Sequence, residues 1–130
     1  MNPARKKIII MSIFYVIIMT AYSSFQTIIT KVHEEEGDGF LGPFSFFISF
    51  FFTTIINLFT GRPCISEKWQ MLFGSLGYCF NYSTGIFMVG APISVKYTLT
   101  IVGNIVNGTS GAFLWTCVGR YIHNVCYQHN

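Results

Sequence analysis

Charge is what this chain has least of. Lys, Arg, Asp and Glu together make up 10% of its 130 residues, against about a quarter in an ordinary soluble domain. So few charges cannot coat a water-facing surface. Beyond Arg5-Lys6-Lys7 there is no dense run of basic side chains, and the net charge is only +3. That excludes a basic nucleic-acid-binding face, so no nucleic-acid partner is expected. No Ser-His-Asp set, metal motif or phosphate-binding loop is present, so neither an enzyme nor a cofactor is expected.

Apolar residues fill the place left by charge. They make up 52% of the chain, with 14 Phe and 7 Tyr, and the mean hydropathy is +0.51. That is more aromatic surface than one small core buries, and a bilayer as solvent removes the difficulty. A spanning helix needs roughly 20 mostly apolar residues. Four stretches meet that description, from Ile8 to about Ile29, Phe40 to about Thr60, Trp69 to about Met88, and Tyr97 to about Val118. The connectors run from Thr30 to Gly39, Gly61 to Lys68 and Val89 to Lys96, short enough to make consecutive helices antiparallel neighbours. Glu34, Glu35, Glu36, Asp38 and Glu67 all fall in connectors. That partition is the main argument for an all-α membrane protein of about four transmembrane helices, with residues 1–130 forming a single transmembrane domain.

The basic residues orient the spans. With the N-terminus inside, Arg5, Lys6, Lys7, Arg62, Lys68 and Arg120 are cytoplasmic, and only Lys31 and Lys96 lie opposite. The positive-inside rule therefore places both termini in the cytoplasm. Trp69, Tyr97 and Tyr121 sit near span ends, where amphipathic rings anchor to the interface. Arg5-Lys6-Lys7 followed by Ile8 to Met19 also has the look of a cleaved signal peptide. Apolar character resumes through Phe25, Ile28 and Ile29, which favours a retained helix.

Small and polar residues recur at helical spacing within the spans. Ser45, Ser49, Thr53 and Asn57 are each four apart, as are Gly77, Asn81 and Gly85, then Asn104, Gly108 and Ala112, and Gly103, Asn107 and Gly111. Such spacing puts each set on one helical face. Small residues let backbones approach, and Asn or Ser can hydrogen-bond across the contact. A polar translocation path is the alternative reading. It is disfavoured because ion-coupled carriers place ionisable groups within the membrane, and no span has one at its middle. Ser49, Asn57, Asn81, Asn107, Gly108 and Gly111 are therefore the candidate helix-packing or partner contacts, and Arg120 a snorkelling anchor.

Of the four cysteines, Cys64 and Cys126 are expected in the cytoplasm and Cys79 and Cys117 inside spans, so no structural disulfide is expected. His123, Cys126 and His129 are three apart. On a helix the first and last diverge by about 120°, and a fourth ligand is missing, so an ordinary polar tail is the reading. The sequons at Asn81 and Asn107 fall inside spans, out of reach of glycosylation.

The order of several short motifs resembles the N-terminal part of the Unc-ninety-three family of ion-channel regulatory proteins, a branch of the major facilitator superfamily. They are Ala21-Tyr22-Ser23-Ser24-Phe25-Gln26, Gly39-Phe40-Leu41-Gly42, Lys68-Trp69 with Gly74-Ser75-Leu76-Gly77-Tyr78, and Gly111-Ala112-Phe113-Leu114-Trp115-Thr116 with Gly119-Arg120-Tyr121-Ile122. The resemblance covers roughly residues 21–122. It departs where the superfamily's charged signature between helices two and three is reduced to Gly61-Arg62 and Glu67-Lys68. The resemblance implies a partial facilitator-like N-terminal bundle, as a truncated paralogue, a short splice product or an incomplete gene product, since a whole facilitator has two six-helix halves with its site between them. It also implies a non-enzymatic regulatory role through helix packing with a partner, such as a potassium-channel subunit or another membrane protein. Two alternatives remain. One is a transporter fragment, or an oligomeric carrier in which copies of the chain supply the missing helices. The other is an accessory subunit of a larger membrane complex.

Overall fold

The structure is a computed structural model that describes residues 2–35, 37, 39–60 and 66–128. Glu36, Asp38, Gly61, Arg62, Cys64 and His129 lie outside the described residues. Among the described residues the chain is all-helical, with four helices and no strand. They are α1 (Pro3–Glu34), α2 (Leu41–Thr60), α3 (Glu67–Met88) and α4 (Ile93–Gln128).

Local chemistry sets the ends. The Asn2 side chain accepts the Ala4 N–H at 3.1 Å, with Pro3 at the first helical position. Beyond α1 the chain turns at Gly37, whose φ of +88° suits glycine and whose N–H donates to the Glu34 carbonyl. Gly90, with φ +73°, breaks the chain after α3, and Pro92 follows it just before α4 begins.

Two helices outrun the expected spans. α1 has 32 residues and α4 has 36, or about 48 and 54 Å at 1.5 Å per residue. The tail beyond Val118, expected as ordinary polar chain, continues as helix to Gln128. The connector expected from Val89 to Lys96 shrinks to 89–92. Hydropathy falls where charged and polar residues begin, but the backbone hydrogen bonding of α1 and α4 continues past that point.

α1 and the stretch Leu41–Phe59 of α2 are long and apolar enough to cross a membrane. α3 and α4 have the length, but their interleaved Gly, Asn, Ser and Thr keep them below that threshold. Several polar residues are turned inward. His33, Gln70, Asn81, Thr84, Thr100, Asn104 and Asn107 are all buried, while Phe47, Phe51, Phe52 and Phe59 of α2 and Phe14, Val16 and Ile17 of α1 are exposed. Phe59 is 88% exposed. A water-soluble fold distributes these residues the other way, and lipid is the solvent this arrangement suits.

α4 is the central element, closely packed on both α3 and α2. A Cβ added at Gly77 would run into the Ser110 side chain, and one at Gly74 would lie 2.7 Å from Leu114 Cβ. α1 is joined mainly by side chains. Tyr15 meets Trp115 with ring centroids 5.5 Å apart, Tyr22 meets Tyr78 edge-on at 5.4 Å, and Phe25 meets Tyr82 at 5.4 Å. The Tyr82 hydroxyl donates to the Ile18 carbonyl at 3.1 Å.

Candidate functional site

The inward polar residues form a continuous seam between the helices. At the end where α1 stops and α4 starts, buried His33 shares a hydrogen bond of 2.7 Å between Nε2 and Thr100 Oγ1. Its ring stacks on Tyr97 at 5.6 Å. One turn further along α4, Asn104 Nδ2 donates to the Thr100 carbonyl at 2.8 Å. A Cβ on Gly42 would lie 3.2 Å from both Asn104 Nδ2 and Gln26 Nε2, so these two amides flank the same small gap. The absent side chain of Gly42 is what allows α2 to close over them.

Deeper in, α3 and α4 meet where a Gly103 Cβ would lie 2.7 Å from Asn81 Oδ1 and 2.9 Å from Thr84 Oγ1. Thr84 Oγ1 donates to its own helix at the Asn81 carbonyl, 2.6 Å away. On the other flank of α4, Ser49 Oγ donates to the Ile105 carbonyl at 2.8 Å and lies 2.9 Å from Thr109 Oγ1. This interhelical pairing of hydroxyls with a backbone carbonyl is the kind that joins helices in lipid.

The structure thus places five of the six candidate contacts at or within internal helix junctions. Ser49 and Gly108 join α2 to α4, Asn81 lies against Gly103, and Gly111 faces the Tyr78 hydroxyl at 3.1 Å from its would-be Cβ. Asn107 is 0% exposed. Asn57 is half-buried on α2. Among the stripes, Gly85 departs from its set, because it packs on Phe25 of α1 while Gly77 and Asn81 face α4.

Several of these amides bury polar atoms that make no hydrogen bond among the described residues. Gln26 Nε2 and Oε1, Asn57 Nδ2, Asn81 Nδ2, Asn104 Oδ1 and both polar atoms of the Asn107 side chain have no protein partner among the described residues. A buried polar atom left unpaired costs about 1–3 kcal/mol. Such a concentration marks the seam as a place where water or another polar group has donors and acceptors to meet.

Sequence reasoning passed over a second polar face, on α1. Tyr22, Ser23, Gln26, Thr27, Thr30, Lys31 and Glu34 line a groove of about 410 Å³. Ser23, Thr27 and Lys31 are exposed. Their signal was available, since Tyr22, Gln26 and Thr30 are four apart, as are Ser23, Thr27 and Lys31. His33 was also missed, because it stands among the charges of a connector and reads as solvated.

No group of three or more His, Cys, Asp or Glu residues forms a metal-binding cluster among the described residues. His123 stacks on Tyr127 at 6.3 Å, and Cys126 is exposed. Comparison with known protein families, curated proteins and solved structures finds no match to this chain.

Proposed function

We propose that the chain is a four-span membrane protein that acts without catalysis, by packing laterally against another membrane protein. The observation that carries this reading is the polar face of α1. Ser23, Thr27 and Lys31 are exposed beside half-buried Gln26, whose amide has no hydrogen bond. In a bilayer such a face must meet protein or water. The six residues singled out from the sequence lie largely on contacts within the chain, so the partner-facing surface moves to α1. The resemblance to the Unc-ninety-three family points to a potassium-channel subunit as the partner class.

The test is co-purification in mild detergent with co-expressed channel subunits. A partner held at fixed stoichiometry and lost in Gln26→Leu/Thr27→Leu supports the reading. Association unchanged by that double variant removes it.

The same open polar face favours one other reading, a carrier assembled from several copies around a shared path. A symmetric homo-oligomer that moves solute across proteoliposomes distinguishes it. Stable co-migration with a larger membrane complex, without effect on channel subunits, favours an accessory subunit instead.

A further inference from the structure

A second cleft, of about 430 Å³, opens between α1 and α3 at the opposite end from His33. Its volume falls in the range of about 300–1,000 Å³ common to ligand pockets. Ile10, Phe14 and Ile18 of α1 and Met71 of α3 supply apolar walls. Lys7, Lys68 and Tyr121 also line it, so two basic residues and a tyrosine from three helices border one cleft. Neither Lys7 nor Lys68 has an ion-pair partner among the described residues.

Two further features add to the positive side chains at the cleft, although α4 ends on the same side with the negative end of its dipole. α1 and α3 both begin there, so both present the positive ends of their dipoles. The Ser66 side chain makes no capping hydrogen bond to the first-turn N–H groups of α3, where a helix can receive an anion. The nearby carboxylate of Glu67 accepts from Asn124 Nδ2 at 2.6 Å.

Length decides what kind of anion fits. From Lys7 to Ile18 the wall rises about 16 Å along α1, close to the roughly 15 Å depth of one leaflet's hydrocarbon. A small free anion would use the rim and leave the apolar wall empty. We propose that this cleft binds an anionic phospholipid, with its phosphate between Lys7 and Lys68 and one acyl chain along Ile10, Phe14 and Ile18. The proposal rests on the membrane reading above.

The full chain, purified in detergent, is mixed with phosphatidylglycerol or phosphatidylcholine, and retained lipid is read by native mass spectrometry. Phosphatidylglycerol is expected to be retained in preference. Lys7→Gln/Lys68→Gln should lower that retention about thirtyfold, as expected for two basic residues near a headgroup. Ser75→Leu, which adds bulk to the cleft lining without changing charge, should lower it as well. Equal retention of the two lipids overturns the proposal, as does undiminished retention in the double Gln variant. Displacement of the lipid by millimolar inorganic phosphate overturns it too, by showing that the rim alone binds. Release of the chain from membranes by alkaline carbonate would instead remove the membrane reading. Equal lipid retention by a carbonate-resistant chain removes only the lipid site.

Discussion

At Gly108 an added Cβ would lie 2.7 Å from the Phe46 carbonyl oxygen and 3.1 Å from the Phe50 nitrogen. Both are backbone atoms and neither can swing aside. Gly108→Val should therefore force α2 and α4 apart, at a cost of about 1–3 kcal/mol, typical of overpacking. Gly119 is the internal control, since nothing lies within 4 Å of its would-be Cβ. Gly119→Ala should be neutral or stabilising by up to about 1 kcal/mol, because alanine is the better helix former. Unfolding titrations in mixed micelles measure both, and a Gly108→Val variant as stable as wild type would remove the close α2–α4 approach. Asn107 sets up a second contrast, with Ser49. Ser49→Ala removes an interhelical hydrogen bond and should cost about 0.6 kcal/mol. Asn107→Leu removes a buried amide whose polar atoms have no protein partner among the described residues, and should stabilise the fold by about 1–3 kcal/mol. A large loss for Asn107→Leu would mean that the amide is satisfied by bound water or another group. At this scale the sequence carried the faces but not the pairings. Spacing of four marks Ser49 and Gly108 as small positions on their helices, yet nothing in either helix names Ile105, Thr109 or Phe46 as the opposite contact.

The elements were more legible than their ends. Four apolar stretches correspond to four helices, but Glu34 and Glu67, expected in connectors, are the last residue of α1 and the first of α3, because helical hydrogen bonding runs past the apolar stretch. Gly90 and Pro92 were visible stop signals. The extensions of α1 and α4 were not legible from hydropathy, which follows the solvent a helix faces and not the hydrogen bonds that continue it through Lys31, His33 and His123. Cysteine accessibility tests the consequence. Cys126 is exposed on the last turns of α4, Cys117 is 0% exposed, and Cys79 is exposed midway along α3. In native membranes carrying Cys64→Ser, a water-soluble maleimide should modify Cys126 and leave Cys117 and Cys79 intact. A permeant reagent of smaller size should add Cys79 before Cys117. Equal labelling of Cys79 and Cys126 by the water-soluble reagent would mean that the outer face of α3 meets water, and α3 would no longer count as a span.

At the scale of the whole molecule, the inverted distribution of Phe and Asn is the property that the sequence could state only as many aromatics and polar residues at helical spacing. Folding puts the amides inside and the rings outside, which explains how α3 and α4 can be too polar by composition and still present apolar residues outward. Antiparallel order then sets the ends. Lys7, Lys68 and Tyr121 line one cleft at one end, while His33, Tyr97 and Thr100 meet at the other. The basic residues expected on the cytoplasmic side include Lys7 and Lys68 of the first set, and the turn at Gly37 lies with the second. If all four helices span, an acceptor sequon engineered beside Gly37 should be glycosylated in microsomes, and one placed after Gln128 should not. The natural sequons supply a test within the same gel. Asn81 is 1% exposed and Asn107 0% exposed, so neither should be modified while the chain is folded in the bilayer. Glycosylation of the tail would require an odd number of crossings or removal of α1, and Lys7 and Lys68 would then lose their common leaflet. Glycosylation at Asn81 or Asn107 would be a stronger result, because it would place the centre of α3 or α4 in the lumen and leave only α1 and α2 to cross the membrane.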